Sequence, residues 1–215
     1  ITAIVPARSG SKRLPGKNIK KLAGRPLIFH TIDSVLGQQE ISEIIFTTDS
    51  QKYIELAKGE YGNKINYEYR PSQYAGDHIK VYDELRRLVN TNVIQTEWYL
   101  LCLPTSPLRT QSIVRNFLDQ WKQNRTSIFS AVSYDFPTQF SFTLSKDKLG
   151  WIPARSDSPM LSGNTRSQDI VRTYRPNGAM YLQHVNNIKN NTLYIDANVY
   201  LMNREDSIDI DTELD

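Results

Sequence analysis

The sequence predicts an α/β fold: a doubly wound, mostly parallel sheet with a small arm suited to dimer contacts. Three observations predict it. From Ile1 to Ser133, short β-prone apolar runs alternate with segments whose apolar residues recur at helical spacing. The runs stop abruptly on turn-forming or polar residues such as Pro6, Asp49 and Pro104. The chain has 215 residues and 39% apolar content, enough for one domain spanning 1–215 with a sizeable core. Strand alternating with helix implies parallel strands joined by crossovers, and ligands in such sheets collect outside the carboxyl ends of the strands.

Ile1 to Val5 reads as a buried strand feeding a loop at Pro6, and a glycine- and lysine-rich loop runs on to about Gly24. Pro26 suits the first turn of a helix carrying Ile28, Ile32, Val35 and Leu36 on one side. Glu43 to Thr48 is the next strand, Gln51 to Glu60 a short helix, and Asn66 to Tyr69 a further strand. After a turn over Arg70 to Gly76, Asp77 is the expected N-cap of a helix whose buried stripe is Val81, Leu85 and Leu88. Trp98 to Leu103 is the most apolar strand. Ile113, Val114, Phe117, Leu118 and Trp121 mark an amphipathic helix, and Ser127 to Ser133 another strand. Beyond Tyr134 the pattern changes: aromatic, Pro, Ser and Asn residues become frequent, and strand-like pieces (Thr173 to Gln183, Leu193 to Met202) replace helices. The region 134–205 is therefore expected to contain the arm rather than a second domain.

Charge is segregated along the chain. Arg8, Lys12, Arg13, Lys17, Lys20, Lys21 and Arg25 follow one another without an acid, whereas Glu205, Asp206, Asp209, Asp211, Glu213 and Asp215 close the sequence without a base. That pattern points to an anionic ligand at one end and a cation at the other. The net charge of +3 is too small to point to nucleic acid. No apolar run approaches the roughly 18 residues that cross a bilayer. A single cysteine, Cys102, excludes an internal disulfide and fits a cytoplasmic protein. Ile1 in place of Met predicts that the natural chain starts earlier.

Four constellations could carry chemistry. PARSGSKRLPGKN (6–18) follows the first strand; its small residues let the backbone approach phosphate oxygens, and Arg8, Lys12 and Lys17 add cationic donors. It is not a Walker A loop, because the spacing from Gly10 to Gly16 is one residue too long and Asn18 replaces Ser or Thr. In SIDIDTELD (207–215), alternation aims Asp209 and Asp211 at one side of an extended segment, an oxygen-rich pair suited to magnesium. Alone, such a pair is more often a solvated strand end. LCLPTSPLR (101–109) closes the strongest strand, and YRPNGAMY (174–181) offers Arg175 to a carboxylate; each is otherwise an ordinary turn or hairpin. His30, His78 and His184 show no metal spacing, and no nucleophile elbow appears.

These stretches, with Thr-Thr-Asp at 47–49 and RPSQYAGD (70–77), resemble the acylneuraminate cytidylyltransferases, also called CMP-sialic acid synthetases, over nearly the whole chain. RLPGK alone would also suit the enzymes that activate the eight-carbon acid Kdo, whereas RPNGA and SIDIDT point to the nine-carbon group. The resemblance implies a nucleotide-diphosphosugar-transferase-type Rossmann fold. It also implies a homodimer in which the arm of one subunit nears the other's active site. CTP and a nonulosonic acid would be the substrates, with Mg2+ or Mn2+ as cofactor and neither nucleic acid nor membrane as partner. By the same resemblance Arg8, Ser11, Lys12, Lys17, Asn18, Arg70 and Asp77 would surround the nucleotide. Asp209 and Asp211 would bind metal. Leu103, Thr105, Ser106, Gln139, Arg166, Arg175 and Tyr181 would face the sugar. Leu103 stands where the family often has Gln, and Gln139 where a family Lys is expected.

The implied reaction is in-line attack of the sugar's anomeric 2-hydroxyl on the α-phosphorus of CTP, giving CMP-sugar and pyrophosphate, with Asp211, Arg8 and Lys17 as the catalytic set. Asp211 could act through the metal or take the proton itself. N-acetylneuraminic acid is the expected acceptor; the departures at Leu103 and Gln139 make legionaminic acid or another modified nonulosonate the alternative. Two other classes compete: a glycosyltransferase using Asp-x-Asp to hold a nucleotide sugar, and a nucleotide-binding module without catalysis.

Overall fold

The computed structural model describes residues 1–76, 78–163, 166–190, 192 and 194–215. Strand β1 (Thr2–Pro6) is followed by a tiny hairpin of β2 (Lys21–Leu22) and β3 (Arg25–Pro26), then α1 (Leu27–Val35), β4 (Glu43–Thr48), α2 (Gln51–Tyr61), β5 (Asn66–Tyr69) and α3 (Val81–Asn90). Next come β6 (Trp98–Cys102), α4 (Gln111–Asn124) and β7 (Ile128–Ser133). The hairpin of β8 (Phe142–Leu144) and β9 (Trp151–Pro153) and the short α5 (Pro159–Ser162) precede β10 (Tyr174–His184), α6 (Val185–Asn190) and β11 (Asn198–Leu201).

The central sheet runs β11-β7-β10-β6-β1-β4-β5. Strand β10 lies antiparallel to β6 and β7, and every other pairing in it is parallel. Period-two alternation sorts the core. Ala3 and Val5 face Ile28 and Ile32 of α1 and Phe117 of α4, while Ile4 faces Leu85 and Leu88 of α3 and Ile188 of α6. Helices thus cover both faces, as a doubly wound sheet requires. Helices α2 and α4 start where Ser50 and Thr110 accept hydrogen bonds from the Tyr53 and Ile113 amides, both at 3.3 Å.

Four expectations change. Pro26 caps α1 rather than opening it, and Leu36 lies just beyond its end. Helix α3 starts at Val81 with Lys80 at the N-cap, whose amide donates to the Asp83 carboxylate at 3.0 Å; Asp77 lies outside the described residues. The last strand is shorter than Leu193 to Met202, covering Asn198–Leu201, with Leu193 outside the described residues. Finally, much of 134–205 is not arm at all. Strand β10 is interior to the central sheet and β11 forms its edge, so what stands outside is the stretch between β7 and β10. An antiparallel strand inserted between two parallel ones leaves no mark on local sequence, because its partners are distant in the chain. Among the described residues, no helix is long and apolar enough to cross a membrane.

Candidate active site

From β1 the chain winds outward to β4 and β5 on one side, and from β6 to β10 and β7 on the other. The loops leaving β1 and β6 therefore diverge, and a crevice opens between them at the strands' carboxyl ends. A cavity of about 550 Å³ occupies that position. Among the described residues its wall includes Arg8, Lys12, Arg13, Lys17, Arg70 and Lys80, with Asp211 as the carboxylate. That excess of cations among the described lining residues suits a polyanion.

The basic loop is held from several directions. The Ala7 amide donates to the Thr47 carbonyl at 2.9 Å, carrying the β1–β4 ladder one step past the strand end. Asp49 accepts from the Ser9 amide at 2.7 Å and the Ser9 hydroxyl at 2.8 Å. Asn18, buried, donates from Nδ2 to the Arg8 carbonyl at 2.9 Å. Gly16 adopts φ 65°, a left-handed turn that aims Lys17 inward and favours glycine. Asn18 thus supports the loop as well as lining the cavity, where Ser11 also lies.

Opposite stands the acidic segment. Asn177 in β10 donates to Ser207 Oγ at 3.0 Å while its carbonyl oxygen accepts from Ser130 Oγ at 2.6 Å, so the RPNG turn anchors the start of the segment. The Ile210 amide then donates to the Thr105 carbonyl at 2.8 Å. This delivers Asp211 to the basic loop: Lys17 Nζ lies 2.9 Å from Oδ1 and Arg13 Nη2 lies 2.7 Å from Oδ2. Lys17 Nζ also donates to the Ile210 carbonyl at 2.8 Å. Asp215 accepts from the Asp211 and Thr212 amides, which holds its own carboxyl below the usual carboxylate range.

The expected pair Asp209 and Asp211 meets the cavity through Asp211 only. The segment leaves a 3-10 turn at Ser207, bonds the Thr105 carbonyl and turns again at Thr212, so it never becomes a paired strand. Ile208 is 42% exposed. Asp211 lines the cavity and Asp209, exposed, does not. Asp209 is near Tyr181 instead: burial chiefly pushes that phenol's pKa up, with the charges of Tyr194 and Asp209 adding. Among the described residues, no group of three or more His, Cys, Asp or Glu side chains gathers as a metal site. Magnesium needs only one or two carboxylates when phosphates and water complete its shell. Asp211, with Asp209 two positions away, fits that shared kind of site and not a closed protein cage.

The residues expected at the sugar divide into two groups. Leu103 and Thr105 line the cavity. Gly178, at φ 81°, packs against Leu103, and a Cβ there would stand 3.6 Å from Leu103 Cδ1. Ser106 is fully buried behind that loop and does not line the cavity. Tyr181 is buried between Phe129 (6.4 Å, stacked) and Tyr194 (6.3 Å, edge-on). Gln139, Arg166 and Arg175 are not brought to this cavity. Gln139 donates to the Val171 carbonyl at 3.4 Å, Arg166 approaches Asp169 at 3.4 Å, and Arg175 is exposed on β10 beside Val132.

Several residues at the site were not singled out from sequence. Arg13 pairs with Asp211, and Asp49 clamps Ser9; both sat inside quoted motifs, so their motif membership was the available signal. Arg109 is fully buried, with Nη1 on the Ala179 carbonyl at 2.6 Å and Nε on Ser34 Oγ at 3.2 Å, tying the loop after β6 to β10 and α1. Burial holds its guanidinium pKa down. Glu84, buried in α3 beneath Arg70, gave no sequence signal at all.

Residues 2–207 match the model of the family described as Cytidylyltransferase. The chain is 32% identical to the CMP-N,N'-diacetyllegionaminic acid synthase of Legionella pneumophila, covering 100% of this chain and 92% of that one. It is 31% identical to the N-acylneuraminate cytidylyltransferase of Streptococcus agalactiae serotype III over 99% of this chain, which spans 50% of that relative's length. In fold it is similar to a CMP:2-keto-3-deoxy-manno-octonic acid synthetase solved in complex with CTP. The TM-score is 0.70, with 16% identity, over 99% of this chain and 93% of that one.

Proposed function

The chain belongs to the cytidylyltransferase family, and on that premise we propose that it transfers CMP from CTP to the anomeric hydroxyl of a nonulosonic acid, releasing pyrophosphate. The observation that carries this reading is the meeting of Lys17, Arg13 and Asp211 in a cation-rich cavity at the strand ends. A transferred nucleotidyl group spreads charge over phosphate oxygens, so catalysis is mainly positioning and electrostatic stabilisation. Arg8, Lys12 and Lys17 hold the triphosphate and offset the charge on the leaving pyrophosphate. Ser11, Asn18, Arg70 and Asp77 surround the nucleotide. Asp211 with Asp209 holds Mg2+ or Mn2+, which when bound neutralises phosphate charge and raises the acidity of a ligated hydroxyl. Asp211 leaves Lys17 and Arg13 free to turn to phosphate once the nucleotide arrives.

The acceptor lies toward Leu103, Thr105 and Ser106, with Tyr181 behind them. N-acetylneuraminic acid is the acceptor proposed first, and N,N'-diacetyllegionaminic acid is the alternative, favoured by the apolar Leu103 in the cavity wall. Gln139, Arg166 and Arg175 act from the partner subunit of a homodimer, because they lie away from their own cavity. The hairpin β8–β9, with Phe142, Leu144, Trp151 and Ile152 exposed, is the proposed dimer contact. Since CTP is a cytosolic nucleotide, the activity is assigned to the cytoplasm.

The test is pyrophosphate release with magnesium, comparing the four nucleoside triphosphates against N-acetylneuraminic, legionaminic and Kdo-type acids. Release with CTP and a nine-carbon acid is expected. Release from another triphosphate alone, or with none of the acids, would overturn the reading.

A further inference from the structure

Beneath the cavity floor lies a group of charges of which only Arg70 enters a proposed substrate contact. Glu84 of α3 is fully buried. Its Oε1 accepts from Thr47 Oγ1 at 2.6 Å and from Arg87 Nη2 at 2.9 Å, and its Oε2 accepts from Arg87 Nε at 2.8 Å. Arg87 Nη2 also reaches Glu68 at 2.9 Å. Arg70, which lines the cavity, is only 5% exposed, yet its Nε stops 3.7 Å short of Glu84 Oε1. Among the described residues that Nε makes no hydrogen bond, and Arg70 Nη2 donates only weakly to the Thr47 carbonyl at 3.4 Å.

We propose that Glu84 is a positioning residue for Arg70, and that Arg87 and Thr47 set how tightly it holds. A guanidinium this deeply buried stays charged and needs a counter-charge nearby. Left alone with Glu84, Arg70 would close on it as a two-bonded fork, and its donors would turn away from the cavity. Arg87 already spans both carboxylate oxygens, and Thr47 takes a further lone pair of one. Glu84 therefore attracts Arg70 without bonding it. The result is a cation fixed in place with donors left for an acceptor-rich ligand group, a carbonyl or phosphate oxygen. This rests on the reading that the cavity takes CTP and that Arg70 touches it.

The experiment measures CTP affinity by titration calorimetry without acid substrate, and the apparent Michaelis constants of both substrates, for Glu84→Gln, Arg70→Ala, the double variant and Arg87→Lys. Glu84→Gln is expected to weaken CTP binding about tenfold, the loss of one well-placed charged contact. The acid's constant should stay within about twofold, below the effect of any single lost hydrogen bond. In the Arg70→Ala background Glu84→Gln should add nothing. Arg87→Lys keeps every charge while freeing a Glu84 oxygen to close on Arg70, so it too should weaken CTP and spare the acid; it serves where Glu84→Gln does not fold. CTP affinity unchanged in both Glu84→Gln and Arg87→Lys, or an equal loss with and without Arg70, would overturn the proposal. If Arg70→Ala binds CTP normally, the nucleotide assignment of Arg70 falls as well. If Arg70→Ala weakens CTP and the other two do not, only the role of Glu84 falls.

Discussion

Lys17 and Asp211, separated by 194 positions in the chain, stand 2.9 Å apart across the mouth of the cavity. The contact joins the first loop of the sheet to the segment that follows its last strand, and it sets a carboxylate among the cations of the cavity wall.

Replacing Asp211 with Ala should therefore leave the fold intact and remove turnover. The expected loss is about two to three powers of ten in rate, the usual cost of a group that stabilises developing charge. Pyrophosphate release measures it, and circular dichroism checks the fold. Near-normal release would remove Asp211 from the mechanism.

Asp49 gives a milder outcome. Its two bonds to Ser9 fix the loop that carries Arg8, but they lie at the surface and are weakened by solvent. Asp49→Ala should raise the Michaelis constant for CTP by about three- to tenfold, the effect of losing one or two modest hydrogen bonds. The constant for the acid should not follow. A parallel rise in both would point to general loosening instead.

The arm can be separated from the chemistry by its assembly state. Trp151→Glu places a charge on the exposed hairpin, beside Phe142 at 6.3 Å, and should abolish the proposed dimer in sedimentation. Arg175→Ala should keep the dimer and raise the acid's Michaelis constant more than that of CTP. A dimer that survives Trp151→Glu, or an unchanged acid constant in Arg175→Ala, would count against the arrangement.

Acid stability offers a prediction away from the site. Lys122 donates to Glu40 at 2.6 Å and holds that carboxyl below its ordinary value of 4.5, although partial burial opposes the shift. A carboxyl with a lowered folded-state pKa stabilises the protein above its unfolded value, and that contribution fades as pH falls through the lowered one. Glu40→Gln should thus melt earlier than the parent near neutrality, and the two melting temperatures should converge on acidification. A gap that widens toward low pH would contradict the assignment.

The sequence exposed some of this far better than the rest. Strands such as β1, β4 and β6 and the helix carrying Phe117 and Trp121 announce themselves by local periodicity, which a window of a dozen residues captures. The basic loop and Asp211 were legible because charge of one sign clusters near each end of the chain. Glu84 was not legible: beside Asp83 in the first turn of an amphipathic helix it reads as solvent-facing until its carboxylate is seen to accept from Thr47 of β4. Asp209 was read from alternation as the partner of Asp211, and of the two only Asp211 lines the cavity. The residues expected at the sugar were hardest to place, since Gln139, Arg166 and Arg175 do not line the cavity.

Strand β10 joins two strands made long before it. β6 and β7 follow one another in the chain, yet each pairs with β10 rather than with the other. A growing polypeptide halted before Tyr174 would carry a split sheet with two facing rows of unpaired amides and carbonyls, the kind of open edge that recruits strangers. Completion of the domain waits on about its last fifth, so truncated or slowly translated forms should aggregate rather than linger as soluble halves.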